Sequence, residues 1–391
     1  MYQASVFRLL LVIIFYCISF HSSFAQNKTD YLEASFGFGK MVRNYPEFPT
    51  IEKPALIASL KFSRHYNGYK PWHRYYNNPV ASLNLTGGSL GNNAVLGYFT
   101  GMMAEISFEK RINKSLFWAP RLSLGSAWFS NPYNENQNPE NIVIGSSITF
   151  LASAELMLGY SVNHSTDLMA KFSILHASNS HFKLPNVGMN VPALSIGVRY
   201  KFSDSEPWKP DSVKATYNKK PQLNFRLALG VNESGSSTEP VNGPKYPVYL
   251  GSVYVARLFS PVNKVSAGIE AWYNKGVYDY IVSQDFYEND RHGKSICVAL
   301  VFGHEFLMGH FGLLTTGGIY VYNPFYKERL KRNEIDGTKD KLKSIIPARL
   351  GVQYYLKNTF YNQTRNLFVG IYIKTNFGQA DFLESGIGYM F

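Results

Sequence analysis

Hydrophobic and polar residues alternate with period two along most of this chain. In Leu168-Met169-Ala170-Lys171-Phe172-Ser173-Ile174, one row carries Leu, Ala, Phe and Ile, and the other carries Met, Lys and Ser. Successive side chains of a strand point to opposite faces, so this pattern reads as a strand with one apolar face. The same reading predicts strands over 31–39, 53–64, 80–87, 94–109, 115–127, 146–160, 167–178 and 191–203. A second set follows over 222–232, 246–259, 263–274, 293–308, 309–321, 344–356, 366–376 and 380–391. Beyond the first 25 residues no apolar run reaches the roughly 18 residues of a membrane helix. The expected fold class is all-β, a transmembrane antiparallel β-barrel of eight plus eight strands.

The organisation follows from what interrupts the pattern. Residues 1–25 read as a cleaved signal peptide: Arg8 precedes the apolar run from Leu9 to Phe20, and Ser23-Phe24-Ala25 offers small residues before Gln26. Cys17 leaves with it, so only Cys297 stays and no internal disulfide can form. Residues 26–203 and 222–391 are the two strand-bearing halves. Between them, 204–221 lacks alternation and carries Pro207 and Pro210, which cannot join a central ladder, so it reads as a linker. The first half closes on Gly197-Val198-Arg199-Tyr200-Lys201-Phe202 and the second on Gly386-Ile387-Gly388-Tyr389-Met390-Phe391. An aromatic terminus of this kind is similar to the signal that bacterial outer-membrane barrels present to the assembly machinery. Its internal echo favours two eight-stranded units over one sixteen-stranded barrel, although the mixed interior rows fit either.

Loop lengths set an orientation. The turns 111–114, 161–164 and 260–262 are short, whereas 128–145, 275–292 and 322–343 are long, the asymmetry expected of periplasmic turns and external loops. The aromatic and basic segment 65–79 is a long connection on the side expected to be periplasmic, and the sequence gives no reason for it.

Composition supports the barrel and adds a partner. Aromatic residues make up 16% of the chain, and the net charge of +12 favours a negatively charged neighbour such as phosphorylated lipid. Nothing points to a nucleotide-binding loop, nucleic-acid recognition or a cofactor. Gly87-Gly88-Ser89-Leu90-Gly91 fits the pattern of a nucleophile elbow but sits between strands with no helix after it, so it is set aside. His304 and His310 read as flanking a tight turn rather than holding a metal. Lys327, Arg329, Lys331, Arg332, Lys339, Lys341 and Lys343 form a basic external loop, able to meet lipopolysaccharide phosphates or simply to be solvated.

Candidate chemistry lies at the end of the strand quoted first. Its lipid-facing row continues through Ile174 into His176 and Ser178. The next strand carries Pro192, Leu194, Ile196 and Val198 on its apolar row, which extended backwards reaches Asn190. A serine hydroxyl attacks an ester well only when a base takes its proton, histidine is the usual base, and a third group fixes its tautomer.

His176-Ala177-Ser178-Asn179, followed by Pro185-Asn186-Val187-Gly188-Met189-Asn190 and a strand ending in Tyr200-Lys201-Phe202, resembles the PagL family of outer-membrane lipid A 3-O-deacylases. The resemblance implies an eight-stranded barrel with a site on its membrane-facing surface, hydrolysing an ester-linked 3-hydroxyacyl chain of lipid A. It implies Ser178 as nucleophile, His176 as general base and Asn179 as an oxyanion-hole or positioning residue, with lipopolysaccharide and outer-membrane lipids as partners. Where the family has a glutamate to orient the histidine, this chain has Asn190, which can accept the imidazole N–H but supplies no charge. The competing expectation is a non-catalytic barrel, porin-like or lipopolysaccharide-binding, with a degenerate site. The second half has no counterpart of the His-x-Ser-Asn motif and resembles no family.

Overall fold

The computed structural model describes residues 28–43, 45–66, 70–202, 216–238, 242–332 and 337–391. The expected signal peptide, Cys17 and most of the expected linker lie outside these residues. Strands β1 (Lys28–Gly39), β2 (Ala55–Tyr66), β3 (Val80–Ser89), β4 (Tyr98–Ser107), β5 (Leu116–Phe129), β6 (Ile148–Ser161), β7 (Thr166–Ser178) and β8 (Met189–Lys201) form the first sheet. Each pairs antiparallel with its sequence neighbours; β1 pairs with β8, and β4 pairs directly with β5, so the ring closes. A second closed barrel contains β9 (Gln222–Glu233), β10 (Lys245–Ser260), β11 (Asn263–Asn274), β12 (Ile296–Met308), β13 (Phe311–Tyr322), β14 (Pro347–Tyr355), β15 (Asn366–Asn376) and β16 (Gln379–Met390). Two eight-stranded barrels are therefore the architecture, and the single sixteen-stranded ring is excluded.

The alternation decides which face each row takes. In β7 and β8 the outward row of Leu168, Phe172, Ile174, Leu194, Ile196 and Val198 is exposed, as lipid-facing residues of a barrel are. Aromatic residues gather at both ends of the outer surface, with Tyr98 and Trp128 at one end and Trp118, Tyr160 and Tyr200 at the other. Such girdles sit at the head-group level of a membrane.

The inward rows meet as ion pairs. In the first barrel Arg121 lies 2.9 Å from Glu33 and 3.0 Å from Glu155, Lys61 lies 2.7 Å from Glu105, and Lys171 lies 2.9 Å from Glu33. These six residues come from β1, β2, β4, β5, β6 and β7, so the network reaches across the interior. In the second barrel Arg226 and Arg349 are each bonded to both Glu270 and Glu384. An eight-stranded barrel is just narrow enough for side chains to fill it, and charges taken out of water must find opposite charges and hydrogen bonds. Nearer the outer end, an apolar layer that includes Phe99, Phe129, Leu151, Leu175 and Val191 takes over, capped by Met41 and Phe48 from one loop and Val143 and Ile144 from another.

Helices occur only in connections. The unexplained segment 65–79 contains α1 (Pro71–Tyr75), and its role is contact between the barrels. The Tyr76 hydroxyl donates to the Val262 carbonyl at 2.9 Å, Trp72 lies against Gly309, and Tyr75 packs on Phe360. Its length thus follows from having to span a neighbour that the local sequence does not contain.

Candidate active site at the outer end of the first barrel

The antiparallel register of β7 and β8 sets His176 directly opposite Asn190. Nδ1 of the exposed His176 lies 2.9 Å from Oδ1 of Asn190. A carbonyl oxygen only accepts, so Nδ1 is the donor in this bond, and in the neutral ring the lone pair lies on Nε2. An imidazole in that tautomer is a base at Nε2.

Ser178 ends the same strand two residues on, yet it is only 8% exposed, because the following loop folds over it. Its Oγ accepts from the Ser180 backbone N–H at 3.2 Å and from Nδ2 of Asn186 at 2.9 Å. No hydrogen bond joins Ser178 to His176 among the described residues. Both nevertheless flank Gly188: the point where a Cβ would stand there is 3.5 Å from His176 Cε1 and 3.6 Å from Ser178 Cβ. Gly188 has φ +76°, a region that glycine enters without cost and other residues rarely adopt.

Asn179 is committed to the loop. Its Nδ2 donates to the Lys183 carbonyl at 2.7 Å and to Ser146 Oγ at 3.3 Å, while Oδ1 accepts from the Lys183 N–H at 3.4 Å. Its backbone N–H donates to Oδ1 of Asn186 at 3.3 Å, so that one side-chain amide links Ser178 and Asn179. The neighbouring loop adds a short ladder, with Val187 and Gly188 donating to the Ile142 and Val143 carbonyls. Ser180 and His181 both have positive φ, which costs a residue with a side chain about 1–2 kcal/mol each. Burial holds the His181 imidazole below its ordinary pKa, opposed by Asp381, the Gly235 carbonyl and Glu233, and assisted by Arg329.

The structure thus brings His176, Asn190 and Ser178 to one corner and turns the Asn179 side chain into the loop beside them. Sequence reasoning assigned no role to Asn186, although the motif contains it, nor to Gly188, whose signal is its place just before a strand. Of the residues set aside, Gly87 to Ser89 lie within β3, in no strand-to-helix turn. His304 packs on Phe259 and Phe306, and His310 donates from Nδ1 to the Tyr355 carbonyl.

Residues 58–199, which contain this corner, match the family described as lipid A 3-O-deacylase (PagL). The first half of the chain is PagL-like over that span. The second half also matches, over residues 221–391, the family described as acyloxyacyl hydrolase, C-terminal domain, which corrects the expectation that it resembles no family. Solved structures similar to this chain include the outer-membrane enzyme PagL, at 16% identity and a TM-score of 0.30, covering 42% of this chain and 97% of that one. Neisserial surface protein A is similar at 17% identity and a TM-score of 0.30, covering 45% and 100%, and the NanC porin at 8% and 0.18, covering 92% and 98%. No curated protein matches the chain. The PagL match of the first half and the closed barrels together indicate an outer-membrane β-barrel protein with a deacylase-like role.

Proposed function

We propose that the first barrel hydrolyses an ester-linked 3-hydroxyacyl chain of lipid A, with Ser178 as nucleophile, His176 as general base and Asn190 as the residue that orients the base. The observation that carries this reading is the His176–Asn190 bond, which turns Nε2, the lone-pair nitrogen of the neutral ring, away from Asn190 on the lipid-facing row that also holds a serine.

The steps balance as in other serine esterases. Ser178 Oγ turns from Asn186 toward His176, gives its proton to Nε2 and attacks the ester carbonyl carbon. Collapse of the tetrahedral intermediate breaks the bond to the sugar oxygen, which takes the proton from Nε2 and leaves as an alcohol. Water then gives a proton to Nε2 and attacks the acyl-enzyme, and the 3-hydroxy fatty acid departs as Ser178 recovers its proton. The Ser180 N–H and the Asn186 amide, both already within reach of Ser178 Oγ, are the donors available to the developing oxyanion. Asn179 acts by positioning: its side chain fixes the loop that carries both donors. The first 25 residues, on this reading, direct export and are removed.

The test is the mass of lipid A. Membranes containing the folded protein are expected to lose one 3-hydroxyacyl chain from lipid A, and Ser178→Ala is expected to abolish that loss. Lipid A of unchanged mass with the folded wild-type protein would refute the proposal.

A further inference from the structure

The loop that supplies the hydrogen-bond partners of Ser178 is held from the second barrel. Glu233, at the outer end of β9, is 1% exposed. Its Oε2 accepts from the Leu184 backbone N–H at 2.6 Å, and its own N–H donates to the His181 carbonyl at 2.9 Å. Its Oε1 accepts from the Gly243 N–H at 2.8 Å and lies 3.2 Å from Lys245 Nζ, so the carboxylate also closes its own hairpin. Two more bonds cross between the barrels: the Asn186 N–H donates to the Ser237 carbonyl at 2.7 Å, and Nε2 of His181 lies 3.3 Å from the Gly235 carbonyl. Lys245 also stands over the ring of Phe182.

On the first barrel, each of these cross-barrel contacts falls between residues 181 and 186, and Asn186 is the residue whose amide touches Ser178 Oγ. The left-handed pair Ser180 and His181 lies at the start of the same stretch. Backbone in such conformations persists where its surroundings over-determine it. Here the surroundings are the hairpin of another barrel. A carboxylate receiving a backbone N–H is among the stronger hydrogen bonds, and a buried one left without partners is costly.

We propose that the β9–β10 hairpin of the second barrel is a clamp on the catalytic loop of the first, with Glu233 as its positioning residue. The second barrel then contributes to deacylation without touching the substrate. It fixes where Asn186 and the Ser180 N–H stand relative to Ser178. The proposal rests on Ser178 being the nucleophile.

The experiment measures kcat and KM on lipid A carrying an ester-linked 3-hydroxyacyl chain, using the full chain in detergent micelles. Glu233→Ala is expected to lower kcat about tenfold or more with KM within about twofold, since loosening a group that orients the reacting atoms costs on that scale. Glu233→Gln keeps a single acceptor oxygen and is expected to fall between Glu233→Ala and wild type. Tyr76→Phe removes the bond to Val262 at the opposite end of the barrel–barrel contact and is expected to leave both constants unchanged. If Glu233→Ala does not insert as a folded barrel, Glu233→Gln decides, and a wild-type kcat there overturns the clamp. Equal losses in Tyr76→Phe and Glu233→Ala also overturn it, because general association of the barrels would then explain both. An inactive Ser178→Ala beside a fully active Glu233→Ala removes the clamp alone. An active Ser178→Ala removes the nucleophile assignment and the clamp with it.

Discussion

Nδ1 of His176 lies 2.9 Å from Oδ1 of Asn190, directly across the β7–β8 ladder. The amide fixes the tautomer but offers no negative charge to an imidazolium that forms during reaction. Asn190→Glu is therefore expected to raise kcat about tenfold or more, since a carboxylate at this position also stabilises the imidazolium that forms. Asn190→Ala frees the ring to rotate and is expected to lower kcat about 10- to 100-fold, with little change in KM. Steady-state kinetics on lipid A check both; a slower Asn190→Glu would show that Asn190 does not orient the base.

Gly188 joins the two reactive residues and has left-handed backbone. Gly188→Ala forces a side chain into φ +76° and brings its Cβ to 3.3 Å from the Ala177 carbonyl. The expected cost is about 1 kcal/mol in stability, read by denaturant unfolding in detergent. A loss of activity larger than that cost predicts is expected, because the added methyl stands in contact with both the His176 ring and Ser178 and narrows the space between them.

Acid should release the clamped loop. His181 is buried and neutral, with its pKa held below the ordinary value near 6.5 chiefly by burial. The unfolded or undocked loop binds a proton more readily than the docked one, so docking is at full strength above about pH 6.5. It weakens as the pH falls through that value toward the lower pKa of the docked state. Protease cleavage between residues 179 and 188 is expected to rise below about pH 6.5, and His181→Gln is expected to flatten that rise. An acid-independent cleavage rate in the wild type would contradict the assignment.

The interior network of the first barrel is poised between cost and gain. Arg121 faces Glu33 and Glu155 with all three side chains largely out of water. Arg121→Met leaves those carboxylates to Lys61 and Lys171, and the expected loss is about 3 kcal/mol, at the low end for a broken buried pair. A lowered transition in heat-dependent gel mobility would report it. Because the network crosses the interior, the wild-type barrel is expected to show no ion conductance above background in planar bilayers.

What was legible in the sequence is what the pleat determines locally. Alternation gave all sixteen long strands, and parity alone put His176 and Ser178 on the outward row of one strand and Asn190 on that of the next, because a strand shows its two faces in strict turn. That His176 stands directly opposite Asn190 came from the ladder itself, since the loop over residues 179–188 is long enough to admit other registers. Tertiary structure decided what depends on residues distant in the chain. It buried Ser178 under its own loop, tied Asn179 to Lys183 instead of leaving it to the substrate, and closed sixteen strands as two rings by pairing β1 with β8 and β9 with β16. It set Glu233 against Leu184 and gave the segment around Trp72 its reason for existing. Alternation carries no information about which hairpin will stand beside which loop; that is fixed only when two closed barrels bring their ends together and buried N–H groups and carboxylates must find partners.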